Sequence, residues 1–553
     1  MSTTLEQIYT TCTNKPAFWD IVLKTEPRMK KFIDEVLAAY KPVRGRNPEN
    51  IILKTDSYKL TQYNMGFDEE FDPDTQQKET LIGMFASVEP RKGARDSHVI
   101  VAGVNALANQ LATIRVSMED LKDAIVFAAA HFSTPSHDGR YHFNPLPWLK
   151  VVLEYGGCLP IKFCALPEGT IVPVAVPLCT IENTDPDCAQ IVSHLEPLIM
   201  QAIWYPTTVA TNALGYSKAI KSALCKTATD DVVNGWLPFA LQDFALRGVT
   251  GMDAARIGCG AVLYVTMGSD TVPAVCHVMD TMGDGKMLGY SVAAIEHNQA
   301  MMQGRKGEFK QVERVLKAYP SGIVSYVADT FDLRNFVEQV SSSKLRKLLM
   351  ERDGTFVIRP DSAMPNEDGT EMSPAETISA IFAILDKNLK DVNTVNSKGF
   401  KVLNSHYKVI YGDGLNIPKI TSILERMIAD GWCASNIVFG VGGNLAQRID
   451  RDTERFAMKA SEETFLIEDS AGNSRIEVRN VCKETPGKQS KKGRFHIAEV
   501  DGVIQCFTLG DPKVKDLPNL LTRYSENGNV STPLDNIRVI RERVNTYRVA
   551  LDF

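Results

Sequence analysis

Several short apolar runs in this chain are followed directly by arginine, aspartate or glycine, residue types that contact sugar phosphates. One such segment, Arg359-Pro360-Asp361-Ser362, follows the run TFVI. Arginine presents a bidentate pair of donors that matches phosphate oxygens, and an aspartate can accept hydrogen bonds from ribose hydroxyls. An Arg–Asp ion pair that closes a turn explains the same residues. The segment therefore predicts either a contact to a ribose phosphate or a structural ion pair.

A glycine-rich segment, GVGGN at 440–444, lies between a predicted strand and a helix that we expect to begin near Leu445. Glycines at such a turn let backbone N–H groups approach a phosphate, and a helix N-terminus favours an anion. The spacing does not match GxxxxGK[ST], so a Walker-type nucleotide site is not indicated. A tight strand–helix turn is an equally good interpretation. The segment GDG at 412–414 is a weaker signal alone, since Asp-Gly is a common turn pair.

His297 follows Glu296 at the start of a predicted helix and is one of nine histidines in the chain. An imidazole beside an acid can be tuned to act as a proton donor or a nucleophile. Asp329, at the end of the run IVSYVAD, is a candidate partner for it. A purely structural histidine is the alternative.

A basic cluster surrounds a Pro-Gly pair in the C-terminal part of the chain, formed by Lys483, Lys488, Lys491, Lys492 and Arg494. Such runs are usually solvated, but beside a phosphate site they would clamp a polyphosphate. The sequence has no HExxH or comparable metal motif. A metal, if used, is expected to be Mg²⁺ held by carboxylates and substrate phosphates. Together these residues predict a phosphorylated ribose as the ligand.

The elements that must position these residues alternate between strands and helices from about residue 238 to 450. Ser373-Pro374-Ala375-Glu376 supplies an N-cap, a proline in the first turn and a capping-box glutamate. A second helix after residue 414 shows one apolar face, formed by Ile420, Ile423, Leu424 and Met427. Such alternation is typical of a parallel sheet. The predicted strands are FALQDF, AVLYVTM, IVSYVAD, TFVIRPD, YKVIYGDG and NIVFGVGG.

These predicted strands end in polar or glycine residues, which favours a barrel over an open sheet. In α/β barrels the loops that follow the C-terminal strand ends form the active site together. The residues that would converge there are Asp243, Gly268-Ser269-Asp270, Asp329, Arg359 with Asp361, the GDG segment and the GVGGN segment. The expected fold is an irregular parallel α/β barrel plus a second mixed, strand-rich α+β domain built from both ends of the chain.

The remaining chain is divided accordingly. Residues 1–45 predict an N-terminal helical extension, because apolar residues recur there at helical spacing. Residues 46–235 and 451–553 contain short apolar runs punctuated by proline or glycine, which predict the mixed β-rich domain. Residues 236–450 are expected to form the barrel with a phosphoribosyl site. The apolar positions of the extension are Met29, Phe32, Ile33, Val36 and Leu37.

The composition excludes several classes of protein. A net charge of −6 lacks the basic footprint of a nucleic-acid-binding chain. The longest apolar run, 124–130, is far shorter than the roughly 18 residues of a membrane span. The N-terminal residues lack the apolar core of a signal peptide, and the 11 cysteines form no CxxC pair. We therefore expect a cytoplasmic protein with free thiols that binds neither nucleic acid nor membrane.

With these motifs in view, the chain resembles the nicotinamide phosphoribosyltransferases, a type II phosphoribosyltransferase family, from about residue 50 to the C-terminus. The matching motifs occur in the family's order, which makes the signal specific. They are TDSYKLTQY (55–63), LPEG (166–169), IENTDPDC (181–188), WYPTTVATN (204–212), DFALRGV (243–249), GSDTV (268–272), GYSVAAIEHN (289–298), IRPDS (358–362), YGDG (411–414), FGVGGNLAQRIDRD (439–452) and KQSKKGR (488–494).

The resemblance implies a reaction between nicotinamide and 5-phosphoribosyl 1-pyrophosphate that gives nicotinamide mononucleotide and pyrophosphate, stimulated by ATP. It implies that His297, oriented by Asp329, is transiently phosphorylated, and that Asp361 contacts the ribose hydroxyls. Phe244 would stack on the pyridine ring and Asp270 would accept from the carboxamide. Other implied contacts are Arg247 and Arg359 to phosphate or pyrophosphate, Gly412, Asp413, Gly442, Gly443 and Arg451 to the 5′-phosphate, and Ser291 and Ser325 along the tunnel.

The resemblance also implies a homodimer whose subunits share their active sites, with Mg²⁺ and ATP as cofactor and coupling substrate. Tyr58 and Asp56 would reach into the site of the partner. Lys459 and Lys488, together with Arg91 contributed by the partner chain, resemble the polyphosphate-binding groups of the family. The basic residue expected shortly before Lys488 is either Arg479 or Lys483.

Two alternatives follow from the same residues. Nicotinate phosphoribosyltransferase shares the barrel and the ribose donor, but a nicotinate carboxylate ~4 Å from Asp270 would meet about 4 kcal/mol of repulsion at an effective dielectric of 20. A catalytically silent, nucleotide-binding dimer is the other. The retention of Arg247, Asp270, His297, Arg359, Asp361 and Asp413 together argues against a silent protein.

Overall fold

The structure is a computed structural model that describes residues 3–12, 15, 18–19, 26–40, 46–68, 70–485 and 489–550. The chain divides into two compact units. The first comprises residues 1–205 and 451–535, and the second comprises residues 206–450 and 536–553.

The first unit is built on a seven-stranded antiparallel sheet. Its long strand Gln77–Glu89 pairs on one side with Ala457–Asp469 and on the other with Cys179–Asn183. Strands from both ends of the chain therefore lie in one sheet, as the sequence predicted. The strand order is Ser474–Asn480, Ala457–Asp469, Gln77–Glu89, Cys179–Asn183, Ile161–Ala165, Thr522–Glu526 and Asn529–Val530.

Two smaller antiparallel pairs belong to the same unit. His98–Ile100 pairs with Ile171–Pro173, and Phe495–Val500 pairs with Val503–Thr508. The helices of this unit are Thr4–Thr11, Glu26–Ala39, Ser57–Thr61, Val104–Thr113, Met118–Phe132, Leu146–Glu154 and Ala189–His194, followed by Glu196–Thr227, which continues into the second unit.

The predicted helix in the N-terminal segment is confirmed as Glu26–Ala39. Its apolar positions Met29, Phe32, Ile33 and Val36 are buried. Because Phe32 and Ile33 have no exposed surface, this helix is part of the core of the first unit.

The second unit contains seven parallel strands, numbered here β1 to β7 in chain order. Their order in the sheet is β2-β1-β7-β6-β5-β4-β3. Tyr290, just before β3, forms a parallel bridge with Gly268 on β2, which links the two ends of the sheet. The sheet is therefore curled into an irregular barrel. The strands are β1 Leu241–Asp243, β2 Gly268–Ser269, β3 Ala293–Ala294, β4 Val324–Val327, β5 Phe356–Arg359, β6 Tyr407–Tyr411 and β7 Ile437–Val441.

Helices follow the barrel strands, and the structure confirms the features that predicted two of them from the sequence. Ser373 caps Pro374–Asn388 with the predicted capping box to Glu376. The predicted apolar face of Ile417–Ala429 is buried at Ile420, Ile423, Leu424 and Met427. The remaining helices of this unit are Asp230–Trp236, Met252–Val262, Val272–Met282, His297–Ala300, Gly304–Ala318, Leu333–Ser342, Lys344–Glu351, Gly443–Ala446 and Ile537–Ala550, and a hairpin pairs Thr394–Val395 with Lys401–Val402.

One predicted strand is wrong. The run AVLYVTM (261–267) is the end of the helix Met252–Val262 and the turn after it, and the strand is the short β2. The run is apolar because it is buried, and periodicity cannot separate a short buried helix end from a buried strand. The helix expected near Leu445 is confirmed as the short helix Gly443–Ala446.

The C-terminal helix Ile537–Ala550 belongs to the barrel unit. Arg541 on this helix donates to the backbone carbonyls of Leu263 and Leu288 at 2.7 and 2.8 Å. These bonds cap the turns that lead into β2 and toward β3. In the described parts of the chain, no helix combines the length and apolar character that a membrane span requires.

Candidate active site

The polar residues predicted at the strand ends of the second unit follow β1, β2 and β4 to β7 in the structure. Because all seven strands are parallel, their C-terminal ends lie at one edge of the barrel. This edge is the candidate active site.

Phe244 follows β1 and has its ring against the backbone of β7. Its N–H donates to the Val441 carbonyl at 3.0 Å. A Cβ atom at Gly440 would lie 2.1 Å from the Phe244 ring, so only glycine leaves room for the ring there. On another side the Arg359 guanidinium lies 5.4 Å from the ring centroid. The ring is therefore fixed between a glycine and a cation, which suits a stacking surface for a flat ligand.

Asp270 follows β2, and its N–H donates to the Asp243 carbonyl at 3.0 Å. Its side chain is exposed and accepts a hydrogen bond of 2.5 Å from the Ser291 hydroxyl. That bond occupies Oδ1, so Oδ2 is the oxygen better placed to accept from a ligand. The structure thus brings Asp270 and Ser291 into direct contact.

The turns after β1 and β2 are held by Asp243, which is fully buried. Its carboxylate accepts from the Ala245 N–H at 2.8 Å and from the Ser269 hydroxyl at 3.1 Å. Burial raises the pKa of this carboxyl, although these hydrogen bonds oppose the shift. Because Ala245 and Ser269 adjoin Phe244 and Asp270, Asp243 fixes the two proposed ring-binding residues relative to each other.

His297 and Asp329 form the predicted pair. His297 Nε2 lies 3.0 Å from Asp329 Oδ1, and Ser362 donates to the other oxygen of Asp329 at 2.6 Å. The Asp329 side chain is only 7% exposed, whereas that of His297 is 42% exposed. A buried, anchored carboxylate therefore orients an accessible imidazole, an arrangement that suits a nucleophile or a proton donor.

Arg359 and Asp361 form an ion pair, one of the two interpretations of this segment, with 2.9 Å between Nη2 of Arg359 and Oδ1 of Asp361. The Nε–H of Arg359 is buried and has no hydrogen-bond partner among the described residues. An unpaired buried N–H on a guanidinium is costly, and an anionic ligand would satisfy it. The ion pair and a ligand contact are therefore compatible.

The two glycine segments and Ser325 complete this edge. Gly412 and Asp413 follow β6, and Gly442 and Gly443 follow β7, while Ser325 is buried on β4. Burial raises the pKa of Tyr411 to about 12, with further contributions from the charges of Asp413, Asp361 and Asp329. The charges of these three carboxylates are thus close enough to act on the Tyr411 hydroxyl. Arg247, in the turn Leu246–Gly248 after β1, is exposed.

Five predicted site residues belong to the first unit. Tyr58 is 56% exposed, and its hydroxyl lies 3.3 Å from Asp56. Arg91 donates to the Arg455 carbonyl at 3.0 Å, and Arg451 pairs with Asp452 at 3.0 Å. Lys459, the fifth, lies opposite Ser87 in the sheet. Lys488 lies outside the described residues.

Arg91 and Lys459 line one recess of the first unit together with Lys491. Of the two alternatives for the additional basic residue, Arg479 is held by Glu79 through two bonds of 2.6 and 2.7 Å. Lys483 instead shares two hydrogen bonds with Ser490, from the Lys483 N–H to the Ser490 hydroxyl and from the Ser490 N–H to the Lys483 carbonyl. Of the two alternatives, Lys483 is therefore the one that is bonded to Ser490 of the basic motif KQSKKGR.

Comparison with known proteins decides the family. The profile of the nicotinate phosphoribosyltransferase (NAPRTase) family matches residues 239–519, and that of the nicotinamide phosphoribosyltransferase N-terminal domain matches residues 50–163. A nicotinamide phosphoribosyltransferase of Xanthomonas campestris is 34% identical over 449 residues, which is 81% of this chain and 87% of the relative. The chain belongs to the nicotinamide phosphoribosyltransferase family.

Further relatives agree with membership of the nicotinamide phosphoribosyltransferase family. A nicotinamide phosphoribosyltransferase of Acinetobacter baylyi is 30% identical over 406 residues, which is 69% of this chain and 76% of that protein. The crystal structure of nicotinate-nucleotide pyrophosphorylase from Pyrococcus furiosus covers 93% of this chain and 100% of its own, with a TM-score of 0.55 at 17% identity. The crystal structure of human nicotinic acid phosphoribosyltransferase covers 90% of this chain and 93% of its own, with a TM-score of 0.53 at 14% identity. These two structures support the fold.

Two side chains of this member of the nicotinamide phosphoribosyltransferase family were missed as site residues from the sequence. Ser362 lies in the segment after β5, where a hydroxyl next to a strand-end aspartate is a signal for a shared hydrogen-bond network. Asp243 is recognisable from the sequence only as the end of a strand. Its role depends on Ser269, 26 residues later in the chain, and no local pattern shows that contact.

Proposed function

We propose that this protein transfers the phosphoribosyl group of 5-phosphoribosyl 1-pyrophosphate to nicotinamide, giving nicotinamide mononucleotide and pyrophosphate in NAD salvage. Family membership supports the class of reaction. The observation that carries the choice of nicotinamide is Asp270, an exposed carboxylate held by Ser291 next to the turn that carries Phe244.

The choice between nicotinamide and nicotinate depends on charge. A carboxamide N–H donates to the free oxygen of Asp270, whereas a nicotinate carboxylate ~4 Å away would meet about 4 kcal/mol of repulsion at an effective dielectric of 20. A 4 kcal/mol difference is close to a thousandfold in selectivity. The names of the relatives from Xanthomonas and Acinetobacter point to the same substrate.

In the proposed reaction the pyridine nitrogen attacks C1 of the ribose while the bond from C1 to the pyrophosphate oxygen breaks. The ring nitrogen is already nucleophilic, so no general base is required. Phe244 holds the ring in line for attack, and Asp361 accepts from the ribose hydroxyls. Arg247 and Arg359 stabilise the departing negative charge.

Mg²⁺ fits this site as an ion carried largely by the substrate. Among the described residues no three His, Cys, Asp or Glu side chains converge as a ready-made metal site. Mg²⁺ commonly takes one or two carboxylates together with substrate phosphates, and Asp361 and Asp413 are the carboxylates available. When bound, the ion would neutralise charge on the pyrophosphate leaving group.

ATP stimulation is proposed to act through His297. When Nε2–H donates to Asp329, the lone pair is on Nδ1, which is then the nucleophilic nitrogen. Transfer of the γ-phosphoryl group of ATP would form an N–P bond at His297 and release ADP, and hydrolysis of that bond would return the free imidazole. Arg91, Lys459 and Lys488 are proposed to bind the polyphosphate.

The proposed active form is a cytoplasmic homodimer. Tyr58 is largely exposed and lies beside Asp56, so both are available to the active site of a second subunit. Tyr58 would stack on the face of the pyridine ring opposite Phe244. Activity would then require dimerisation.

Replacement of Asp270 by alanine tests the proposal. We expect Asp270→Ala to lower kcat/KM for nicotinamide and to narrow the preference over nicotinate by at least tenfold. The measurement is product formation from each substrate, and circular dichroism checks that the variant is folded. Unchanged selectivity in a folded variant would refute the role of Asp270.

A further inference from the structure

The loops after β1, β7 and β6 are joined by two amide side chains of the segment after β7. In the sheet, β7 lies between β1 and β6. Asn444 Nδ2 donates to the Leu415 carbonyl after β6 at 2.7 Å. Gln447 Oε1 accepts from the Thr250 N–H after β1 at 3.1 Å. One short segment therefore connects both neighbouring loops, each through a single side chain.

A third amide fixes that segment to the helix Glu196–Thr227. Asn212 is buried, and its Nδ2 donates to the carbonyls of Asn444 at 3.0 Å and Leu445 at 2.9 Å. Packing is tight as well, since a Cβ atom at Gly248 would lie only 3.1 Å from the backbone of Gly443. We call Asn212, Asn444 and Gln447 the loop brace.

The three braced loops are those that carry the proposed phosphate-binding residues. Arg247 lies after β1, Gly412 and Asp413 lie after β6, and Gly442 and Gly443 lie after β7. A phosphate held by backbone N–H groups from separate loops is bound well only when the loops keep a fixed separation. The brace bonds end on backbone groups, so they fix the backbone of the loops and do not merely fix the conformation of a side chain.

We propose that Asn444 and Gln447, anchored by Asn212, are positioning residues that set the separation of the three loops and so determine affinity for the phosphoribosyl donor. The role as a determinant of donor affinity rests on the proposed function. The brace hydrogen bonds end on Asn444, Leu445, Thr250 and Leu415, and none of these bonds ends on Phe244 or Asp270. Phe244 begins the braced loop after β1, but it is also held by its own N–H bond to the Val441 carbonyl and by the ring packing on Gly440. We therefore expect the brace to act mainly on the phosphate end of the site and only weakly on nicotinamide binding.

The test compares Asn444→Ala with Asn388→Ala, a matched control in the same unit. The Asn444 amide makes one of the brace bonds, and the Asn388 amide makes two bonds elsewhere, to Glu338 at 2.7 Å and to Ser341 at 2.9 Å. The Asn388 bonds join helices that carry none of the three loops. Both variants lose half-buried amide hydrogen bonds, so a general loss of stability affects both. Of the two variants, only Asn444→Ala removes the side-chain hydrogen bond between the loops after β6 and β7.

We expect Asn444→Ala to raise KM for 5-phosphoribosyl 1-pyrophosphate about tenfold, in line with the loss of one hydrogen bond. KM for nicotinamide should stay within twofold, and Gln447→Ala should show the same pattern. Asn388→Ala should leave both KM values within twofold. An unchanged donor KM in folded Asn444→Ala, or equal rises in both KM values, would overturn the positioning role.

Amide hydrogen exchange separates this inference from the proposed function. We expect exchange at residues 412–415 to accelerate about tenfold in Asn444→Ala and to stay unchanged in Asn388→Ala. Absence of transferase activity in the unaltered protein would refute the proposed function, while faster exchange would still show the brace. Unchanged exchange at 412–415 would refute the brace whether or not the protein is active.

Discussion

At Gly440 the addition of a single methyl group should weaken binding of nicotinamide more than binding of the phosphoribosyl donor. Its ideal Cβ position lies 2.1 Å from Cε2 and 2.4 Å from Cδ2 of Phe244. Carbon atoms in contact lie about 3.5–4.0 Å apart, so in Gly440→Ala the ring or the strand must shift by roughly 1.5 Å. Overpacking of this kind typically costs 1–3 kcal/mol. We expect the variant to lose about that much stability and to raise KM for nicotinamide tenfold or more, because 1.4 kcal/mol is a factor of ten.

The assay is initial-rate kinetics with each substrate varied in turn, together with thermal unfolding. KM for the phosphoribosyl donor should rise less than KM for nicotinamide. The ring adjoins Arg359 and Gly412, but the proposed donor contacts of Arg247 and Gly443 do not depend on the ring position. The control is Gly235→Ala in the helix Asp230–Trp236, where a Cβ atom has no heavy atom within 4 Å. That variant should keep wild-type kinetics. Wild-type KM for nicotinamide in folded Gly440→Ala would refute the proposed stacking position of Phe244.

Three further substitutions test the imidazole network and a buried acid. Asp329→Asn, which leaves His297 without its carboxylate at 3.0 Å, should abolish ATP stimulation while the ATP-independent rate persists, measured as the ratio of rates with and without ATP. Ser362→Ala, which removes the bond to Asp329 at 2.6 Å, should reduce that ratio about threefold by loosening the same carboxylate; an unchanged ratio in either variant would contradict the network. Burial raises the pKa of Glu308 to about 7, so the folded state binds more protons than the unfolded state and stability falls as pH rises from about 4.5 to 7. Glu308→Gln should remove this pH dependence, and above pH 7 its free energy of unfolding in denaturant should exceed that of the wild type by about 1–3 kcal/mol. Equal pH profiles of the two proteins would show that Glu308 is ionised in the folded protein.

Local signals in the sequence identified much of the barrel. The capping box at Ser373 and the apolar face of Ile417–Ala429 depend on residues within a few positions of each other, so they can be read directly. The strand-end residues Arg359, Asp361 and Asp413 could be gathered into one site because parallel strands present their C-terminal ends at one edge.

Features that depend on distant contacts could not be predicted. The run AVLYVTM is apolar because it is buried, and its hydrophobic pattern fits the end of a helix and a strand equally well. The helix Ile537–Ala550 joins the barrel unit through Arg541 and carbonyls more than 250 residues earlier. The loop brace likewise joins Asn212 to residues 232 and 233 positions away. Amide side chains of this kind have no local signature, because any asparagine can occupy such a position when the fold brings a free carbonyl to it.

Formation of nicotinamide mononucleotide tests the central claim most directly. The full chain would be incubated with 5-phosphoribosyl 1-pyrophosphate and Mg²⁺, with nicotinamide or nicotinate in parallel reactions and with or without ATP. We expect turnover of the amide at a rate at least a hundredfold above that of the acid, increased by ATP. Preferential turnover of nicotinate would contradict the role of Asp270, and no turnover of either substrate by the folded protein would favour a silent nucleotide-binding dimer over an enzyme.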